Sequence, residues 1–279
     1  MANVIKIKKG LDINLKGKAS DVLLNGGKSE SYAIVPDYYN GILPKVVAKV
    51  GEKVKAGSVL MIDKNRPEIK FVSPVSGEVT AVNRGEKRKV LSIVVKPDAQ
   101  IEYEEFGKKN VASLQGAEVK EVLLNAGMWP FIKQRPYDIV AAPLDTPRDI
   151  FVSAFYSAPL APNFDFIVKG QEADFQTGLN ALAKLTNGKV YVGVRSGSVV
   201  SGMKGVEIVE VEGPHPAANV GVQINHIKPV NKGEVVWTVN PADVIVIGRL
   251  FNKGVADFSR MVATVSYTHL RAHETPEHL

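Results

Sequence analysis

The stretch from residue 30 to residue 98 allows few folds. Short runs rich in β-branched residues, such as "SVLMI", "GEVTAV" and "VLSIVV", are separated by Gly51, Gly57, Gly77 and Gly85. Turns at that spacing leave room only for short strands, so the segment predicts a small barrel or sandwich. Two stretches echo each other. "VGEKVKAGSVLMI" and "RGEKRKVLSIVV" each set a glycine turn and Glu-Lys ahead of a new strand, and "SPVSGEVTAV" carries the chain between them. Upstream, "VIKIKKGLDINLKG" alternates apolar and polar residues, so residues 1–29 read as two short half-exposed strands ending at Gly26 and Gly27.

The echoed pattern resembles the barrel-sandwich hybrid, the hammerhead shared by lipoyl and biotin carrier domains. Those carriers attach their cofactor to a lysine at a hairpin tip, which here corresponds to Lys64 in "IDKNRPEIKF". The tip is longer than a lipoyl hairpin, contains Pro67 and lacks the Met-Lys-Met of biotin carriers. Lys64 is therefore expected to be an unmodified surface lysine, the default for a loop lysine. A carrier-type protein modified on Lys64 stands as the alternative.

After residue 115 the period changes. "AEVKEVLLNAG" sets Val119, Val122 and Leu123 on one helical face, with Gly127 as a stop. "DIFVSAFY" reads as a buried strand, and "KVYVGV" and "GVEIVEV" as further strands. "QEADFQTGLNALAKLTNG" is a helix with Phe175, Leu179, Leu182 and Leu185 on its apolar face. "NPADVIVIGRLFNKG" is a helix capped by Asn240, with Pro241 in its first turn and Gly254 as its stop. Strands alternating with helices predict an open Rossmann-like α/β sheet. The expected organisation is α+β and multidomain: a barrel-sandwich hybrid over 1–100, a Rossmann-like α/β domain over 101–265, and a tail over 266–279. "DAQIEYEEFGKKN", between the two domains, reads as a solvated polar linker. The tail, "SYTHLRAHETPEHL", breaks the style of the rest, and its His269, His273 and His278 are set aside as belonging to a non-native addition.

Composition narrows the chemistry. The 279 residues include no cysteine, which removes disulfides, thiolate zinc sites, protein-ligated iron–sulfur clusters and cysteine nucleophiles. The formal charge of +6 is spread over short clusters such as "KIKKG" and "RGEKRK" without interleaved aromatics, so no nucleic-acid partner is expected. The start is charged throughout, unlike a secretory signal, and no run of roughly 18 apolar residues is present for a membrane span.

The catalytic motifs are missing too. "VRSGSVVSGMKG" carries Gly197, Gly202 and Gly205 at the wrong spacing for a dinucleotide turn and leads into a strand. No nucleophile elbow and no Gly-Lys-Ser/Thr phosphate loop occurs. His215 and His226 have no His-Glu-x-x-His spacing, so no metal site is expected. The segment "EGPHPAANVGVQINHIKPVNKG" nevertheless stands out. It follows the strand "GVEIVEV", and Pro214 and Pro216 stiffen the backbone around His215. Ligands of open α/β sheets bind at such strand ends.

"GPHPAANVGVQINHIKPVNKGEVVWTVNPADVIVIGRLFNKG" resembles the A subunit of the sodium-translocating NADH:quinone reductases. So do "IKIKKGLDINLKGKA", "PDYYNGILPK", "VKAGSVLMIDK", "SPVSGEV" and "APLAPNFDFIVKGQEADFQTGLNAL", in family order, and the resemblance runs from about residue 3 to about 263. The family continues beyond that point, so a truncated chain is expected. The resemblance implies a peripheral subunit on the cytoplasmic face of the bacterial inner membrane, with the other subunits of the complex as partners. The complex uses NADH, reduces ubiquinone or menaquinone and pumps sodium, with flavins and iron–sulfur centres in other subunits and none bound here. It implies a scaffold with a role in quinone binding and no activity in the isolated chain. For a quinone site, His215 and His226 are the expected donors, with Trp237 and Phe251 as walls. A second relative, the C subunit of the Rnf electron-transport complex, shares the domain plan but carries cysteine clusters, which this chain lacks.

Overall fold

A computed structural model describes residues 3–13, 20–27 and 29–263. The tail over 266–279 lies outside the described residues. Strand β1 is Asn3–Lys6. The β domain follows, with β2 (Tyr32–Ile34), β3 (Pro44–Val46), β4 (Lys53–Val54), β5 (Val59–Asp63), β6 (Lys70–Val72), β7 (Gly77–Arg84) and β8 (Val90–Pro97). Two antiparallel sheets form, one in the order β2-β8-β7-β4 and the other β3-β5-β6. Gly51 and Gly57 lie in turns with positive φ, as predicted, whereas Gly77 opens β7 and pairs with Val54 and Pro97. Leu60, Phe71, Val79, Ile93 and Val95 fill the space between the sheets.

The α/β domain contains α1 (Gly116–Asn125), β9 (Ile132–Arg135), β10 (Ile139–Val140), β11 (Ile150–Ser153), α2 (Phe164–Val168) and α3 (Glu172–Ala183). It continues through β12 (Val190–Val194), β13 (Glu207–Glu212), α4 (Val220–Ile227), β14 (Val236–Val239) and α5 (Pro241–Lys253). Its seven strands run in the order β1-β13-β12-β11-β14-β9-β10. From β1 to β14 the pairings are parallel, and β9 and β10 close one edge antiparallel. β11 is buried at all four positions, as its continuous apolar run predicts. Helices α3 and α5 cover one face. Gly178 and Gly248 let them touch, since a Cβ on Gly248 would lie 1.7 Å from the Asp174 carbonyl oxygen. Helix α4 covers the other face, its Ile224 packing with Phe151 and Val236 of the sheet. The cap residues behave as read: Asn240 Oδ1 accepts from Ala242 N at 3.0 Å, and Gly254 closes α5 at φ 77°.

Two expectations change. The first strand belongs to the other domain's sheet, because β1 pairs in parallel with β13 and not with the β domain. Of the two strands expected over 1–29, β1 is the one found among the described residues, and residues 14–19 lie outside them. The stretch over 99–115 is a docked seam and not a solvated linker. Ala56 N donates to Glu102 O, Glu104 N to Ala56 O, and Phe106 N to Gly254 O, all within 2.9 Å. The acidic residues hid this: Ile101, Tyr103 and Phe106 alternate with them and turn inward. With that seam in place, one apolar cluster runs from Leu60 and Phe71 of the β domain to Trp129, Trp237 and Phe251 of the α/β domain.

Candidate functional site

Chain order places β12 and β13 on one side of β11 and β14 on the other, so the strand order reverses between β11 and β14. Ligands in doubly wound sheets sit outside the C-terminal strand ends at such a reversal. Here those ends carry Tyr156, just past β11, and Asn240, the cap of α5; Tyr156 Oη lies 3.4 Å from Asn240 Oδ1. Asp243 follows in the first turn of α5.

The β domain docks against this end. A cleft of about 250 Å³ opens between the two domains. Ala33, Tyr38, Tyr39, Phe71 and Val72 line it from the β domain, and Gly127, Pro130, Phe131, Phe258 and Arg260 from the α/β side. Each wall has a local cause. A 3-10 turn over Pro36–Tyr38 swings Tyr39 inward, where its ring meets the edge of Phe71 at 4.8 Å. Gly127 ends the first helical segment with φ 67°, and a Cβ there would sit 2.5 Å from Val72 Cγ1. Only glycine permits that conformation and that approach. The next turn, Trp129–Phe131, is anchored by Trp129, whose Nε1 donates to Ala141 O at 2.8 Å, and it presents Phe131 to the cleft.

The remaining wall is a strap after α5. Arg249, 5% exposed, donates from Nη1 to Asp257 O, Ser259 O and Ser259 Oγ and from Nη2 to Gln171 Oε1. That clamp sets Phe258 edge-on to Phe131 at 6.1 Å and Arg260 over the Phe131 ring at 5.1 Å. Arg260 Nη2 also lies 2.6 Å from Asp243 Oδ1, close but not aligned as a hydrogen bond. Lys133 Nζ stands 5.1 Å from the centre of the Tyr39 ring.

The electrostatics follow from burial. Desolvation lifts the Asp243 carboxyl above its ordinary range, against the pull of Arg260 and Lys133. Burial also raises the Tyr39 and Tyr156 hydroxyls, assisted by Asp243. It lowers the Lys133 ammonium, opposed by Asp138 and Asp243. The cleft therefore joins apolar aromatic walls to the Tyr38 and Tyr39 phenols and the Arg260 guanidinium, with Lys133 beside Tyr39 and Asp243 beside Arg260. It can hold a planar ring by its faces and satisfy carbonyl oxygens at its rim.

The residues singled out from sequence lie elsewhere. Trp237 and Phe251 are 0% and 1% exposed and belong to the core on the α3/α5 face. Trp237 stacks edge-on with Trp129 at 5.4 Å, and its Nε1 has no hydrogen-bond partner among the described residues. His215 and His226 are on the α4 side of the sheet. His215 Nδ1 lies 3.0 Å from Ser157 Oγ, and its backbone N donates to Asp12 Oδ1 at 2.8 Å. His226 is exposed, with Nδ1 2.8 Å from Val222 O of its own helix. The sheet separates the histidines from the two aromatics. The segment singled out from sequence follows β13, whereas walls of the cleft come from "PDYYNG" and "MWPFI", each of which pairs aromatics with a proline turn.

Among the described residues no group of His, Cys, Asp and Glu is placed to hold a metal ion. Lys64 is exposed, but its hairpin tip is bolted down. Asp63, fully buried, accepts from Leu43 N, Asn65 N and Arg66 Nε, while Arg66 reaches Gly41 O and Val140 O.

Fold and site together define a class: a barrel-sandwich β domain docked on a doubly wound α/β domain, with an aromatic, cation-edged cleft at the strand reversal between them. Residues 5–98 match the NqrA N-terminal barrel-sandwich hybrid domain, and residues 114–256 match the NqrA second α/β domain. The chain belongs to the NqrA family. It is 39% identical over 265 residues to the A subunit of the Na(+)-translocating NADH-quinone reductase of Hahella chejuensis, covering 93% of this chain and 59% of that relative. The proteins of the same name from Photorhabdus laumondii and Neisseria meningitidis are each 37% identical over 264 residues, with the same coverage. The chain thus spans about three fifths of the length of the curated relatives it matches.

Proposed function

We propose that the chain acts as part of the A subunit of a sodium-translocating NADH:quinone reductase, and that it holds the quinone ring in the cleft between its two domains. The observation that carries this reading is the cleft itself: Tyr39, Phe71, Phe131 and Phe258 as walls, Arg260 and tyrosine hydroxyls at the edge, and Lys133 beside Tyr39. Aromatic walls suit a planar ring, and the donors suit its carbonyl oxygens. At about 250 Å³ the cleft is small beside the roughly 300–1,000 Å³ usual for ligand pockets, which fits a head group with its tail left outside.

In this reading the chain is a scaffold without a redox centre, and electrons reach the quinone from flavins and iron–sulfur centres of other subunits. A chain with no cysteine has no thiolates for a cluster. Its partners are the other subunits of the complex, on the cytoplasmic face of the inner membrane. Among the described residues no helix is long and apolar enough to cross a membrane. We place the division between the two folding units near residue 100, with β1 contributed to the second. The carrier reading fits less well, because a carrier lysine must swing and the Lys64 tip is clamped by Asp63 and Arg66.

Isothermal titration of a water-soluble benzoquinone into the chain tests the site. Ala33 is an exposed residue on the cleft wall, and Ala33→Trp fills the cleft without entering the core. This variant is expected to weaken binding tenfold or more, about 1.4 kcal/mol, while His215→Ala leaves it unchanged. Unchanged affinity in Ala33→Trp, or a loss in His215→Ala alone, would remove the quinone from the cleft.

A further inference from the structure

We propose that the cleft selects quinones whose ring carries an ionised hydroxyl, with Arg260 and Lys133 setting the preference. The inference rests on the quinone reading above and adds the charge state of the ligand.

It stands on the charge arrangement. Arg260 lines the cleft and lies over Phe131, and Lys133, beside the lining, stands 5.1 Å from the centre of the Tyr39 ring. Each cation thus lies against the ring of one aromatic wall. Their counterions do not balance them. Asp138, the acid nearest Lys133 along the chain, is 3.4 Å from Arg135 Nη1. Asp243 lies beside Arg260, with 13% of its side chain exposed. Burial favours its neutral form. Arg135, Lys133 and Arg260 face two carboxylates, Asp138 and Asp243, which leaves net positive charge beside an apolar cleft, where charge is screened less than in open water.

A neutral quinone answers only the aromatic walls and the carbonyl donors. A 2-hydroxyquinone is a vinylogous carboxylic acid and is ionised at neutral pH. Its negative charge is delocalised over ring oxygens in the plane of the ring. Such a ligand keeps its faces against Tyr39 and Phe131 and turns its charged edge to the Arg260 guanidinium, a geometry that guanidinium favours for planar oxyanions, with the Lys133 ammonium acting at longer range.

The test titrates 1,4-naphthoquinone and 2-hydroxy-1,4-naphthoquinone separately into the chain at neutral pH. The hydroxy form is expected to bind at least tenfold more tightly. That ratio should fall toward one in Lys133→Met and in Arg260→Gln. In the unaltered protein it should also shrink as salt rises from roughly 0.05 to 0.5 M, because the preference is Coulombic. Equal binding of the two rings, or a ratio indifferent to salt, would overturn the inference and leave the quinone reading standing. Binding of neither ring would overturn both. The salt series needs no variant, so a misfolded substitution does not decide the result.

Discussion

Replacing Arg249 with methionine keeps most of the side-chain volume and removes the clamp on the strap that carries Phe258 and Arg260. Arg249 is 5% exposed and donates to Asp257 O, Ser259 O, Ser259 Oγ and Gln171 Oε1. It also lies 3.2 Å from Asp257 Oδ1. Breaking a buried charge pair by removing one partner costs about 3–5 kcal/mol. The acids left behind decide where in that range the cost falls. Asp257 keeps Lys253 Nζ at 3.2 Å and two bonds from Ser259, and Asp174 keeps Asn252 Nδ2 at 2.7 Å. Neither is stranded, so the expected cost is about 3 kcal/mol, the low end. Trp129 and Trp237 stack in the core of the α/β domain, so tryptophan fluorescence in urea reports on the domain that is loosened. With a slope of roughly 3 kcal/mol per molar urea, the midpoint should drop by about 1 M. Arg249→Lys keeps a charge but loses the fork and should lose about half as much. Quinone affinity should fall in both, because the strap forms one wall of the cleft. A midpoint shift in Arg249→Met below about 0.3 M, the effect of an exposed ion pair, would show that the strap is held by something other than this clamp.

Burial alone would raise the Asp149 carboxyl, but bonds from Lys228 Nζ, Lys189 N and Arg148 Nε outweigh it and hold the group below its ordinary range. A depressed folded-state value contributes stability above the unfolded value, and that contribution is lost as pH falls through the folded one. Asp149→Asn should therefore cost about 2–3 kcal/mol at neutral pH, and urea melts across an acid series should show the gap to the unaltered protein closing as Asp149 protonates. Gly127→Ala forces a Cβ onto a residue at φ 67°, 2.5 Å from Val72 Cγ1. It should cost about 1–3 kcal/mol in urea and weaken quinone binding, since both residues line the cleft. Asp63→Ala leaves Arg66 without its buried partner and should cost about 3 kcal/mol. Limited proteolysis should then cut the 64–68 tip rapidly, whereas a tip that stays resistant would mean Arg66 holds it through Gly41 and Val140 alone.

The elements were legible where a local rule fixes them. Asn240, Pro241 and Gly254 mark both ends of α5 because capping and positive φ are properties of single residues. The glycines at 51 and 57 mark turns of the β domain for the same reason. Phe175, Leu179 and Leu182 fall on the buried face of α3 because helical period decides burial. The site was less legible. Stiffening prolines drew the reading to His215, whose ring is answered by Ser157 on the α4 side. Trp237 on strand β14 and Phe251 on helix α5 both turn into the core shared with α3. Tyr39 and Arg260, which do face the cleft, lie more than two hundred residues apart in sequence.

Local rules along the chain are enough to specify the two kinds of domain, their order, most caps and turns, and the absence of thiol chemistry, because each of these depends on neighbours within a few residues or on composition. Long-range packing sets the rest: β1 crosses over to pair with β13, the acidic stretch after residue 98 docks, and Tyr39 and Arg260 face one cleft with Lys133 and Asp243 beside them. Those outcomes depend on which surfaces two domains bury against each other. That choice is set by long-range packing and desolvation, which leave no periodic mark along the chain.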